Sequence, residues 1–158
     1  MDVGVMLAEL IPQVPSNVFT KWLSKRVSII WLDSEDGRLG MTRFEEGNAE
    51  LVRRRRLKLD PGEITIGLHP RLVDEPDLLR HTLAHELIHA SGVLNHSKEL
   101  HDAVENIAPG VSISKSPIAA GLLTLKPPPS RTVLVGTIVL TLLLPDMVSP
   151  KLRSIWSI

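Results

Sequence analysis

Five of the chain's six histidines fall within residues 81–101, and three of them, His81, His85 and His89, stand four apart. Residues four apart on an α-helix are separated by about 40° around the axis and about 6 Å along it. His85 and His89 therefore project side by side, and their imidazoles can converge on one ion. Glu86, about 100° round the helix from His85, can reach a water on that ion without being a ligand itself. Residues 85–89 read His-Glu-Leu-Ile-His, an H-E-x-x-H string, which supplies two nitrogen ligands for zinc and a carboxylate to take a proton from the water. The chain has no cysteine. Disulfides, thiolate catalysis and a Cys-ligated zinc ribbon are thereby excluded, and a metal site must draw on His, Asp or Glu.

A catalytic zinc keeps three protein ligands and one open position. After His89 the chain continues Ala-Ser-Gly-Val-Leu-Asn-His. Gly92 can take a left-handed conformation, end the helix and turn the chain back, which brings in His96 as the third ligand. Glu99, His101 and Asp102, on a following helix, are the alternatives to it. His81, one turn before His85, is placed behind the ligands or on the surface, and stands with His101 as a reserve ligand. His69, in Gly-Leu-His-Pro, is expected to be structural or to lie at the rim of the site.

The elements that must position these residues are partly legible. Residues 75–92 form the strongest helix: Asp74 or Glu75 as cap, Pro76 in the first turn, Leu79, Leu83 and Leu87 as an apolar stripe, and Gly92 just past the end. Residues 97–110 suit a further helix. A short helix is expected up to Pro12, and a second over residues 16–26 with Ser16 as N-cap. Residues 26–33, rich in β-branched and aromatic types, read as a strand closed by a turn at 33–37. Residues 38–48 and 49–59 read as two more strands around a turn at Gly47-Asn48. After a turn at Asp60-Pro61-Gly62-Glu63, Ile64–Leu68 reads as another strand. The expected fold is α+β, with a small antiparallel or mixed sheet packed against the H-E-x-x-H helix and the helix after it, a minimal zincin-like domain.

At 158 residues, with 43% apolar and 23% charged residues, the chain suits one domain with a core. We divide it into residues 1–116, the zincin-like unit with its N-terminal helices, and residues 117–158, an apolar segment that packs on the core or docks a partner. Its longest uncharged run, Thr132 to Leu144, is short of the roughly 20 residues of a membrane span, so no membrane partner is expected. The N-terminus lacks the basic and apolar regions of a signal peptide, which makes the cytoplasm the expected location. Lys plus Arg equals Asp plus Glu at 18 each, so no global field favours nucleic acid. The one basic run, Arg53, Arg54, Arg55 and Arg56, is expected on a strand or hairpin, where alternate arginines face opposite sides. Its bland reading is a solvated surface, and its functional reading a phosphate-contacting edge.

In motif and in order of elements, residues 78–104 specifically and residues 27–115 more loosely resemble zinc metallopeptidases of the SprT-like type, related to the WLM group. The resemblance implies His85, His89 and His96 as zinc ligands, Glu86 as general base, a protein or peptide as substrate, and DNA or a DNA-bound protein as a partner. It also implies an edge strand that pairs with extended substrate, for which Ile64–Leu68 is the candidate. The chain departs from that pattern after the third histidine, where Ser97 and Leu100 replace the usual glycine and aromatic residue. A second resemblance, to metallo-endoribonucleases carrying H-G-x-x-H-x-x-G-x-D-H, places glycine where this chain has Glu86. The expected function is thus zinc-dependent peptide hydrolysis. The alternatives are a zinc-dependent endoribonuclease and a zinc-stabilised interaction protein without catalysis.

Overall fold

Alternation along three short segments sets the sheet. In Ile64–Leu68 (β3 below), Ile64, Ile66 and Leu68 are fully buried on one face. On the other, Gly67 lies so close to Leu32 that a β-carbon there would come within 2.5 Å of a Leu32 methyl. In Gly40–Phe44, the residues Gly40, Thr42 and Phe44 share one buried face while Arg43 is exposed, the period of two that a strand imposes. The computed structural model describes residues 2–109 and the backbone of Val139–Thr141.

Chain order is α1 (Val3–Leu10), α2 (Leu23–Arg26), β1 (Val27–Trp31), β2 (Gly40–Phe44), α3 (Asn48–Leu57), β3 (Ile64–Leu68), α4 (Pro76–Ala90), α5 (Lys98–Ile107) and β4 (Val139–Thr141). The fold is α+β with a small mixed sheet in the order β1-β3-β2-β4. β1 runs parallel to β3, with Val27 opposite Ile64 and Trp31 opposite Leu68. β2 runs antiparallel to β3, with Gly40 opposite Leu68 and Phe44 opposite Ile64. β4 adds antiparallel pairs to Met41–Arg43. Beyond that strand, the expected packing of residues 117–158 lies outside the described residues.

α4 packs on β2 and β3 with one side and on α5 with another. Leu79, Leu83 and Leu87 enter the core beside Phe19, Phe44 and Leu51. α4 ends where expected: Gly92 follows the cap Ser91 at φ +110°, a conformation that side-chain-bearing residues rarely adopt. α5 begins at Ser97, whose hydroxyl accepts the Leu100 N–H, a local cap of the usual kind.

Three expectations are corrected. Residues 49–57 are not a strand: they belong to α3, so Arg53 to Arg56 wind around a helix instead of alternating between two faces. Helix-favouring Ala, Glu, Leu and Arg prevail there, reinforced by the Glu50–Arg54 ion pair at i,i+4 and by Arg54–Glu46. Lys58, left-handed at φ 54°, returns its N–H to the last turn. Ser16 does not open a helix over residues 16–26, which holds only a 3-10 turn at Thr20–Trp22 and the single turn of α2. The Phe19 N–H is bonded instead to the carbonyl of Ser91 at the end of α4. Finally, β3 is no edge: β1 and β2 pair with its two sides, so Ile64–Leu68 cannot receive a substrate strand.

Phe44 is fully buried, its ring 6.1 Å from that of Phe19, at the point where β2 and the N-terminal segment meet. Phe44→Ala is expected to cost about 3–5 kcal/mol, read as a lowered denaturation midpoint. A loss below about 1 kcal/mol would show that this contact does not join the two parts.

Candidate metal centre

The first two histidines are set by α4 alone. His85 and His89 are one turn apart and 1% and 0% exposed. Their Nε2 atoms lie 3.1 Å from each other. The turn at Gly92 then carries the chain back, and His96 Nε2 arrives 3.3 Å from that of His85 and 3.2 Å from that of His89. Three imidazole nitrogens that share at most a few protons cannot all bond one another. They do match a cation's demands: ligands about 2.05 Å from a tetrahedral zinc stand about 3.3 Å apart. His89 Nδ1 is 2.6 Å from the Val93 carbonyl, which fixes its proton on Nδ1 and turns the Nε2 lone pair toward the cluster. His85, His89 and His96 can hold a metal ion on these grounds. His96, the exposed member, marks the side open to solvent.

Burial keeps these rings neutral. It pushes His85 down to about 2, helped by the charges its neighbours His89 and His96 would carry. It pushes His89 down to about 4 against the opposing pull of the Val93 carbonyl. His96, exposed as a residue but with its Nε2 turned in against the other two rings, is lowered too, by the desolvation of that ring first and then by His101. Neutral imidazole is the form that binds a metal.

Glu86 is fully buried, and burial pushes it up to about 8, against the Thr42 hydrogen bond and the nearby Arg38 charge. Arg38 is itself held by Asp36 on the loop that enters β2. The Thr42 hydroxyl lies 2.6 Å from Glu86 Oε2 and 3.0 Å from the Glu86 carbonyl. A hydroxyl has one hydrogen and two lone pairs. It donates to Oε2 when Glu86 is ionised or carries its proton on Oε1; with the proton on Oε2 it accepts from Oε2–H and gives its own hydrogen to the carbonyl. Glu86 Oε1 is buried without a hydrogen-bond partner among the described residues.

The remaining residues singled out by the sequence fall elsewhere. His81 is buried, with Nδ1 3.0 Å from the Ala108 carbonyl at the end of α5. His101 is exposed in the first half of α5, its ring centre 6.4 Å from that of His85. Asp102 pairs with Lys98, and Glu99 is exposed with its carboxyl lowered chiefly by the Ser97 hydroxyl. His69 is buried and accepts the Arg71 N–H at the start of a 3-10 turn, Pro70–Asp74. On α3, Arg53 and Arg54 bond to Glu50, and Arg55 and Arg56 are exposed. Sequence reasoning missed Gly40, Thr42 and Val93. Only Gly40 carried a signal, because glycine inside a strand pattern marks close approach by another group.

The SprT-like family model matches residues 7–105 of this chain. Neither the curated proteins nor the solved structures yield a match. No helix among the described residues is long and apolar enough to cross a membrane.

Two outcomes follow from this geometry. Elemental analysis is expected to give about one metal ion per wild-type chain, as a site with three protein ligands requires, and a large loss in His96→Ala; retention in that variant would remove His96 from the ligand set. The metal-free protein is expected to be most stable near pH 7. The histidines lie below their unfolded value of 6.5, so the unfolded chain takes up protons first and stability falls as pH drops through 6.5. Glu86 lies above its unfolded value of 4.5, so its contribution is complete below 4.5 and is lost as pH rises toward 8. The acid limb, with three groups against one, is the steeper. Thermal unfolding across this range that shows no acid limb would contradict the buried, neutral cluster.

Proposed function

The chain belongs to the SprT-like family, and on that premise we propose that it is a zinc-dependent endopeptidase in which Glu86 is the general base. The observation that supports this best is the pairing of the three converging histidines with a buried carboxylate on the helix that carries two of them, one oxygen of which has no hydrogen-bond partner among the described residues. Zinc, when bound, would supply a Lewis acid for the scissile carbonyl and lower the pKa of a water toward about 7. His85, His89 and His96 would hold it through Nε2, and the Val93 carbonyl keeps His89 in the required tautomer.

The other steps fall to Glu86. Its carboxylate takes one proton from the attacking water at Oε1. As the carbon–nitrogen bond breaks, the same oxygen returns that proton to the departing amine, so that one group serves as base and then as acid. Burial raises the proton affinity of a carboxylate and a dication beside it would oppose that rise, which suits a group that must both take and return a proton. Glu86 where the ribonuclease motif has glycine favours water activation by a carboxylate, and with it peptide hydrolysis.

Glu86→Gln keeps the shape and removes the proton acceptor. With zinc loaded, the variant is expected to cleave unfolded casein about 10²–10⁴-fold more slowly than wild type while keeping its metal. Full activity in Glu86→Gln would exclude this residue as the base. RNA cleavage that is lost in the variant, without peptide cleavage in the wild type, would assign the site to the nuclease class.

A further inference from the structure

β2 meets α4 through its inward-facing residues, and two of them, Gly40 and Thr42, lie against Glu86. At Gly40 a β-carbon would lie 2.7 Å from Glu86 Oε1 and 2.8 Å from the Thr82 methyl. Both distances are closer than real β-carbons come, so glycine alone lets the strand lie here. One pleat along, Thr42 is 0% exposed and bonds the side chain and the backbone of Glu86 together. Glu86 is therefore gripped at Oε2, while Oε1 is buried against Gly40 without a hydrogen-bond partner among the described residues. A buried polar atom left without a partner is destabilising by about 1–3 kcal/mol, and in a native protein it marks a strained, catalytic or ligand-facing atom.

We propose that Thr42 is a positioning residue: its hydroxyl anchors Glu86 through Oε2, so that Oε1 is the oxygen presented to the reacting water, and Gly40 provides the clearance. This rests on the peptidase reading above. The terminal torsion of a glutamate is broad and roughly two-fold, so an unanchored carboxylate would sample orientations that take Oε1 away from the water. Misplacing a reacting group by about 1 Å can lower a rate about 10²-fold. Thr42 itself exchanges no proton with substrate.

The test uses the full chain loaded with zinc. Thr42→Val keeps the branched shape and removes only the hydroxyl, whereas Thr42→Ser keeps the hydroxyl and removes a methyl. The expected result for Thr42→Val is an unchanged zinc content, KM within about twofold and kcat lowered about 10–100-fold on a fluorogenic peptide, with Thr42→Ser restoring most of kcat. In a Glu86→Gln background, Thr42→Val should have no further effect. A crystal structure of Thr42→Val should show the Glu86 carboxylate rotated from its wild-type orientation. Wild-type kcat in Thr42→Val, or equal losses in the Val and Ser variants, would overturn the proposal, the second outcome by assigning Thr42 a packing role. If the wild type binds zinc but cleaves no peptide, the peptidase reading fails by itself. The crystal structure then decides the anchoring claim: an unrotated Glu86 in Thr42→Val would overturn it.

Discussion

Every residue from His81 to Gly92 is buried, although this stretch of α4 and its end carries three histidines and a glutamate. Taking four ionisable groups out of water is unfavourable unless each is neutral or compensated, and the arrangement around α4 answers that constraint group by group. His81 is bonded to the end of α5. His89 is bonded to a carbonyl in the turn that follows its own helix. His85 is left with ring nitrogens as neighbours, and Glu86 with a single hydroxyl from β2. The apolar residues of α4 would fit many helix packings. The polar ones fit this packing, because each needs a partner from a different element.

The same burial explains why the site suits a divalent cation. Without one, the low dielectric keeps the histidines neutral and draws Glu86 toward its protonated form. A dication between the three nitrogens would be the largest local charge and would invert that preference, favouring the ionised carboxylate beside it. Metal binding and the readiness of Glu86 to accept a proton are thus linked through the field and not through contact. Arg38, held by Asp36, already pulls Glu86 in that direction.

The chemistry of the site was legible in the sequence to the extent that it is local. Helical period alone places His85, Glu86 and His89, and a glycine past the last turn accounts for the return that carries His96. What failed to be legible depends on tertiary partners. Four arginines in a row offer no apolar alternation, and although helix-favouring residues and the Glu50–Arg54 pair are local to α3, the Arg54–Glu46 pair that ties it to the chain after β2 is not. The strand at Ile64–Leu68 was recognisable, but not its central place in the sheet. Thr42 gave no sign at all, since its role exists only in the crossing of β2 over α4.

The N-terminal segment shows how far this dependence reaches. Phe19 binds the Ser91 carbonyl through its backbone N–H, and its ring lies 3.3 Å from where a β-carbon on Gly92 would sit. These two contacts fall on the residues that end α4 and reverse the chain toward His96. A ligand supplied from beyond a helix end has no helical period to hold it, so its position is only as firm as the turn before it. Here that turn is backed by a residue from the start of the chain, whose ring itself packs at a tilt near Phe44 of β2. The family match begins at residue 7, well ahead of the first strand. Without the segment around Phe19, α4 would still present two of the histidines, while the turn that delivers the third would keep its Val93–His89 bond and lose this second brace.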